Sequence, residues 1–159
     1  MDGTGSRRGP LRWVACLCAA GVLLAIAVPG PAQAGPAGTS LYARLGGYDA
    51  IAAVVDDFIG RLAGDPQFTK FFAGHSQDSI HRIRQLIVDQ FCQVTGGSCA
   101  YIGRDMKTAH KGLGITEADW NASVKHLTAS LDKFKVPEKE KGELLAIAAK
   151  LKDDIVEKR

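Results

Sequence analysis

The chain has 159 residues, of which 46% are apolar and 23% charged, the balance of one soluble globular domain with an additional segment. The net charge is +3, and residues 1–34 supply +2 of it through Arg7, Arg8 and Arg12 against Asp2. The remainder therefore lacks the basic face that nucleic-acid binding requires, and the chain holds no internal repeat or long charge run.

Residues 1–34 read as a secretory signal. Three arginines precede an apolar run from Trp13 to Val28. Pro29-Gly30-Pro31 breaks the run, and Ala32-Gln33-Ala34 offers the small residues a signal peptidase accommodates. The alternative is an uncleaved membrane anchor, but the run is short of the ~20 residues a span needs and ends in an A-x-A site, so cleavage is predicted after Ala34 and leaves no stable span. Ser6-Arg7-Arg8-Gly9-Pro10-Leu11-Arg12 also resembles the twin-arginine export motif, with Pro10 where an aromatic is usual. The implied compartment is the bacterial periplasm or the cell exterior. Residues 35–39 form a short Gly/Pro/Ala linker.

Residues 40–159 read as helix and turn. Ser40 caps a short helix that stops at Gly46-Gly47. Ile51, Val54, Val55, Phe58 and Leu62 recur at helical spacing from about Tyr48 to Leu62. Asp65-Pro66 starts a short helix carrying Phe68, Phe71 and Phe72. Ile80, Ile83, Ile87, Phe91 and Val94 make one stripe on a helix from about Gln77 to Thr95, which Gly96-Gly97 ends. After an irregular stretch comes a short helix around Asp105–Lys111. Thr116-Glu117-Ala118-Asp119 is a capping-box start, followed by a stripe of Trp120, Val124, Leu127, Leu131 and Phe134. Pro137 opens the last helix, with Leu144, Ala148, Leu151 and Ile155 as its buried face. No segment alternates like a strand, so the domain is predicted to be all-α with a single core.

Among the four histidines, His75, His81, His110 and His126, only His110 has a setting that suits a ligand. It lies between a glycine-rich loop and a strongly amphipathic helix, flanked by Met106, Ala109, Leu113 and Ile115. A neutral imidazole there is a good ligand for an iron with an open axial site. His126 lies off its helix stripe beside Lys125, as an ordinary hydrogen-bonded histidine would. Cys92 and Cys99 flank a Gly-Gly turn and could form a disulfide outside the cytoplasm. The alternative is two free buried thiols. C-x-x-C-H is absent, which excludes covalent haem attachment at that motif.

The run Tyr101-Ile102-Gly103-Arg104-Asp105-Met106, then His110, Leu113 and Ile115-Thr116, resembles the haem-binding signature of the group I truncated haemoglobins. Gly46-Gly47, Phe71-Phe72 and Gly96-Gly97 stand in that family's order, and the similarity runs from about Ser40 to Ile155. The resemblance implies a shortened globin fold, an all-α two-on-two helical sandwich around haem b. It makes His110 the proximal iron ligand, Phe72 the aromatic against the haem face, and Tyr101, Met106, Ile115 and Trp120 pocket walls. It also implies oxygen, nitric oxide or carbon monoxide as ligand, with nitric oxide dioxygenase activity as an extension that would need a reductase.

The distal side departs from the family pattern. The usual tyrosine position falls on Ile59. The chain is longer than usual between Phe72 and Gly96, and alignment back from Gly96-Gly97 puts the distal positions on Ile83, Ile87 and Phe91. Such a wall cannot hydrogen-bond the partial negative charge on bound oxygen. That bond is worth ~1–3 kcal/mol, so oxygen should leave roughly ten- to a hundredfold faster. Nearby polar candidates are His75, His81, Gln85 and Gln90. His75 or His81 turned inward would act as a donor or as a sixth ligand, the latter giving six-coordinate iron and with it a haem-based redox or gas sensor or a haem carrier; the alternative places both on the solvated side or near a haem propionate. A third reading is a helical module without haem.

Overall fold

The computed structural model describes residues 40–158. The export segment at 1–34 and the linker at 35–39 lie outside the described residues. The elements are α1 (Leu41–Arg44), α2 (Gly47–Gly64), α3 (Thr69–Phe72), α4 (Gln77–Val94), α5 (Met106–His110), α6 (Glu117–Lys133), α7 (Glu138–Ala149) and α8 (Lys152–Ile155). The one extended pairing among the described residues is an isolated parallel bridge between Thr116 and Lys158.

Local chemistry sets most helix starts. A side-chain oxygen that accepts an orphan N–H stabilises a first turn by about 1 kcal/mol. Ser40 accepts from Ala43 at 3.3 Å, Ser76 from Ser79 at 3.2 Å and Asp105 from Thr108 at 2.8 Å. Thr116 and Asp119 form the reciprocal capping box. Gly46, at φ +94°, precedes α2 in the left-handed region, where a β-carbon is strained.

The two long pairs set the architecture. α2 packs against both α4 and α6, and α6 packs against α7, which gives a two-on-two arrangement. The core comes from α1, α2, α4, α6 and α7 and includes Val55, Val88, Leu127, Leu131 and Leu144. Burying each such side chain contributes about 1.5–3 kcal/mol. Arg44 fastens α1 to α7 through the buried Glu140 at 3.0 Å and through Glu143. In contrast, α3, α5 and α8, of four or five residues each, carry no buried residue.

Four sequence expectations need correction. Val94 is 42% exposed, because α4 ends there and the Thr95 hydroxyl caps the turn by donating to the Phe91 carbonyl at 2.6 Å. The buried positions on that helix are Val88, Phe91 and Cys92. Phe134 is also 42% exposed. It is the C-cap of α6, and Lys135 follows at φ +56°, so the chain turns away before the stripe is complete. The helix around Phe68, Phe71 and Phe72 starts at Thr69 rather than at Asp65-Pro66. Finally, the last helix is two. The N–H groups of Lys150 and Leu151 bond three residues back, to Ile147 and Ala148. That tightened turn separates α7 from α8.

Candidate functional site

The short helices line a cavity of about 460 Å³, within the ~300–1,000 Å³ range of pockets that enclose small organic ligands. α2 contributes Phe58, Ile59 and Leu62, and the α3 region Phe68, Phe71, Phe72 and His75. α4 contributes Ile83, Leu86, Ile87, Gln90 and Phe91, and α5 Met106, Ala109 and His110. α6 adds Asp119, Trp120, Ser123, Val124 and Leu127, the C-terminal part Ala148, Leu151 and Ile155, and the loops Tyr101, Leu113 and Ile115. Thus Ile59, Phe72, His75, Ile83, Ile87, Tyr101, Met106, His110, Ile115 and Trp120, drawn from positions 59 to 120, meet on one surface. The break after α7 lets Leu151 and Ile155 face this cavity while Leu144 stays in the core.

His110 ends α5 and is half-buried. Its Nδ1 lies 2.8 Å from the Met106 carbonyl oxygen. A carbonyl only accepts, so Nδ1 carries a proton, and in the neutral ring Nε2 keeps its lone pair. This second-partner arrangement orients an imidazole for metal binding and raises its basicity. Among the described residues, no three His, Cys, Asp or Glu side chains gather to hold a bare metal ion. A lone imidazole suits a metal whose other positions are already filled.

The approach to α5 is tightly folded. A disulfide joins Cys92 to Cys99, with Cα atoms 5.8 Å apart. The Tyr101 N–H donates to Gln93 Oε1 at 3.0 Å, and its hydroxyl donates to the Arg104 carbonyl at 2.5 Å. Burial pushes the Tyr101 phenol pKa up. A β-carbon on Gly103 would come within 2.3 Å of that hydroxyl oxygen, so any larger residue there would have to push the Tyr101 side chain aside. Tyr101 therefore presents its ring to the cavity while its hydroxyl closes the loop. The Asp105 carboxyl is held below its ordinary range, chiefly by the Thr108 backbone N–H.

Asp119 is the anionic group in the wall, only 4% exposed. It accepts from Gln67 Nε2 at 2.8 Å, from the Thr116 N–H and hydroxyl at 3.0 and 2.9 Å, and from Lys70 Nζ at 3.4 Å. These donors, the Gln67 amide first, hold its pKa down at about 2. The carboxylate thereby ties the α3 region, with its phenylalanines, to the start of α6. Sequence pattern showed Asp119 only as a capping residue, because Gln67 and Lys70 lie too far away in the chain to register.

The other polar candidates separate. Gln85 points its amide at Tyr48 and Asp89. His81 is exposed and outside the lining. His126 Nε2 bonds Asp65 at 2.8 Å and packs edge-on against Phe68. His75, in the exposed turn before α4, and Gln90, one helical turn past Leu86, both reach the cavity. Leu86 and Gln90 share the face of Ile83 and Ile87, which is the signal that finds them.

The family model for bacterial-like globins matches residues 40–157. The chain is 34% identical over 116 residues to a group 1 truncated haemoglobin of Mycolicibacterium paratuberculosis, covering 73% of this chain and 83% of that protein. The crystal structure of truncated haemoglobin from Tetrahymena pyriformis in its Fe(III) form is similar at a TM-score of 0.68 and 25% identity, over 74% of this chain and 98% of that one. The 2/2 haemoglobin of Synechococcus sp. PCC 7002, solved in the cyanomet state with covalently attached haem, matches at the same TM-score of 0.68 and 25% identity, over 74% and 98%. A two-on-two helical frame, a cavity walled by the signature residues and this likeness across the domain agree: the chain belongs to the bacterial-like globins, among the group 1 truncated haemoglobins.

Proposed function

We propose that this protein holds haem b, with His110 Nε2 as the proximal iron ligand, and that the iron would bind a diatomic gas. The observation that carries the reading is the imidazole at the cavity wall, its Nδ1 proton committed to Met106 O at 2.8 Å. The lining fits the group, being mostly aliphatic and aromatic, as a porphyrin requires. When bound, haem supplies an iron with one axial position open to oxygen, nitric oxide or carbon monoxide.

The chain's own part is to orient and to exclude water. Met106 O fixes the imidazole tautomer. Phe72 and Trp120 offer aromatic rings, while Ile59, Ile83 and Ile87 make an apolar wall without donors. Gln90 is the amide on the α4 wall and the donor best suited to a polar gas ligand. Absorption spectra of the full chain loaded with hemin test this. His110→Ala should lose the five-coordinate ferrous spectrum, whereas His75→Ala should keep it. Unchanged coordination in His110→Ala refutes the reading.

A second reading follows from His75 lining the same cavity. With His75 as sixth ligand, the protein is a haem-based redox or gas sensor or a haem carrier. Paired sharp visible bands in the ferrous protein without added ligand, lost in His75→Ala, would establish it. Nitric oxide dioxygenase activity is the enzymatic extension of the first reading, tested by turnover that depends on an added reductase. Export to the periplasm or beyond is part of the proposal. It is supported by the Cys92–Cys99 bridge, which suits an oxidising compartment, and tested by N-terminal sequencing of the secreted chain.

A further inference from the structure

The turn that follows His110 is held by the far end of the chain. Gly112 (φ +85°) and Gly114 (φ +64°) occupy the left-handed region. Their N–H groups converge on one carboxylate, Glu157: Oε1 accepts from Gly112 and Oε2 from Gly114, each at 2.6 Å. Backbone amides converging in this way form a concavity suited to an anion. Here the anion belongs to the chain itself, 45 and 43 residues downstream. Hydrogen bonds from amides to a charged acceptor are the stronger kind, and the two glycine donors hold the Glu157 carboxyl below its usual pKa.

The backbone reinforces this contact. The N–H groups of Glu157 and Lys158 both donate to the Ile115 carbonyl, at 2.9 and 3.1 Å, and the Lys158 carbonyl accepts from Glu117 at 3.3 Å. The tail thus spans the junction between α5 and α6. α8, just before it, packs on α5. α5 itself has five residues and no buried side chain, and a helix so short does not persist alone in water. Its N-terminal end is fixed by Asp105. On its C-terminal side the glycine turn is fixed by Glu157.

We infer that Glu157 is a positioning residue for the axial imidazole: through Gly112 and Gly114 it sets where the helix ending in His110 stops, and so where Nε2 stands. The inference rests on His110 being the iron ligand, as proposed above. Glu157 acts on the turn and not on the ring.

The test uses the full chain, with and without hemin, as wild type, Glu157→Ala, Glu157→Gln, Lys158→Ala and His110→Ala. In the unloaded protein, amide hydrogen exchange at Gly112 and Gly114 should quicken about tenfold or more in Glu157→Ala. In the loaded ferrous protein, the iron–histidine stretching band should shift or broaden, and haem loss to a scavenger should quicken about tenfold. Glu157→Gln keeps one acceptor and should fall between, while Lys158→Ala keeps the carboxylate and should follow wild type. Unchanged glycine exchange in Glu157→Ala overturns the clamp. Faster exchange with an unchanged band and unchanged haem loss overturns the positioning role. His110→Ala separates the layers: if it retains the band, histidine ligation itself fails. If it loses the band while Glu157→Ala behaves as wild type, only the inference fails.

Discussion

Replacing Cys99 with alanine cuts the cross-link between the end of α4 and the loop that carries Tyr101. Cys92 is fully buried and remains in place as a thiol, so the loss is chiefly the freedom restored to the unfolded chain. The bridge closes a separation of 7 residues. For that loop the chain-entropy relation gives about 8 cal/mol/K, or about 2.4 kcal/mol at 25 °C. A domain of ~120 residues has an unfolding entropy of about 0.25 kcal/mol/K near its midpoint, so the melting temperature should fall by about 9–10 °C. The assay is thermal unfolding followed by circular dichroism, for both chains with and without a phosphine reductant. Wild type with reductant should converge on Cys99→Ala, and reductant should leave the variant unmoved. Midpoints within about 2 °C of each other in the absence of reductant would refute the entropic argument.

Three further outcomes are expected. The Asp119 carboxyl is held at about 2 against an ordinary 3.8, so it contributes stability above pH 4 that is lost as pH falls from about 4 towards 2. Asp119→Asn should cost about 1–2 kcal/mol at pH 6 and flatten the pH dependence in that window, read from urea midpoints at successive pH values. Gln90→Leu removes the amide from the α4 wall and should speed oxygen release about five- to tenfold while carbon monoxide release changes less than about twofold, both by stopped flow. Equal oxygen rates would exclude Gln90 as the donor. A β-carbon on Gly97 would sit 2.6 Å from Cys92 Sγ and 2.7 Å from Tyr42 Cδ2. Gly97→Ala should therefore cost about 1–3 kcal/mol in denaturant unfolding, and a neutral result would mean that the turn yields more easily than its packing implies.

What sequence reveals here depends on how far apart the partners lie. The Ser40 cap, the Thr116–Asp119 box and the Gly46-Gly47 and Gly96-Gly97 stops are local, and the helices begin and end where those residues dictate. Val94 and Phe134 misled because periodicity continues past the point where a cap turns the chain. The break between α7 and α8 has no proline or glycine to mark it. In the site, His110 stood out through its local setting and its resemblance to a known signature, and Ile83 and Ile87 through alignment with that family back from Gly96-Gly97. Gln67 on Asp119 and Glu157 on Gly112 join residues 52 and 45 positions apart. No local pattern carries such pairings, and only the folded chain displays them.

The segregation of buried residues has a consequence for assembly. The long helices supply most of the fully buried core, while α3, α5 and α8 line the cavity and carry no buried residue, Phe72 of α3 packing only partly against the core. Ile59, Phe91, Leu127 and Ala148 belong to both core and wall, so the frame runs into the cavity, whereas the single-turn segments rest on few buried contacts and should be the first to open. Limited proteolysis before loading should nick the rim and leave a resistant frame, and cargo should close those sites. That pattern of cuts would mean that a ligand enters by movement of the single-turn segments alone, with the long-helix sandwich standing throughout.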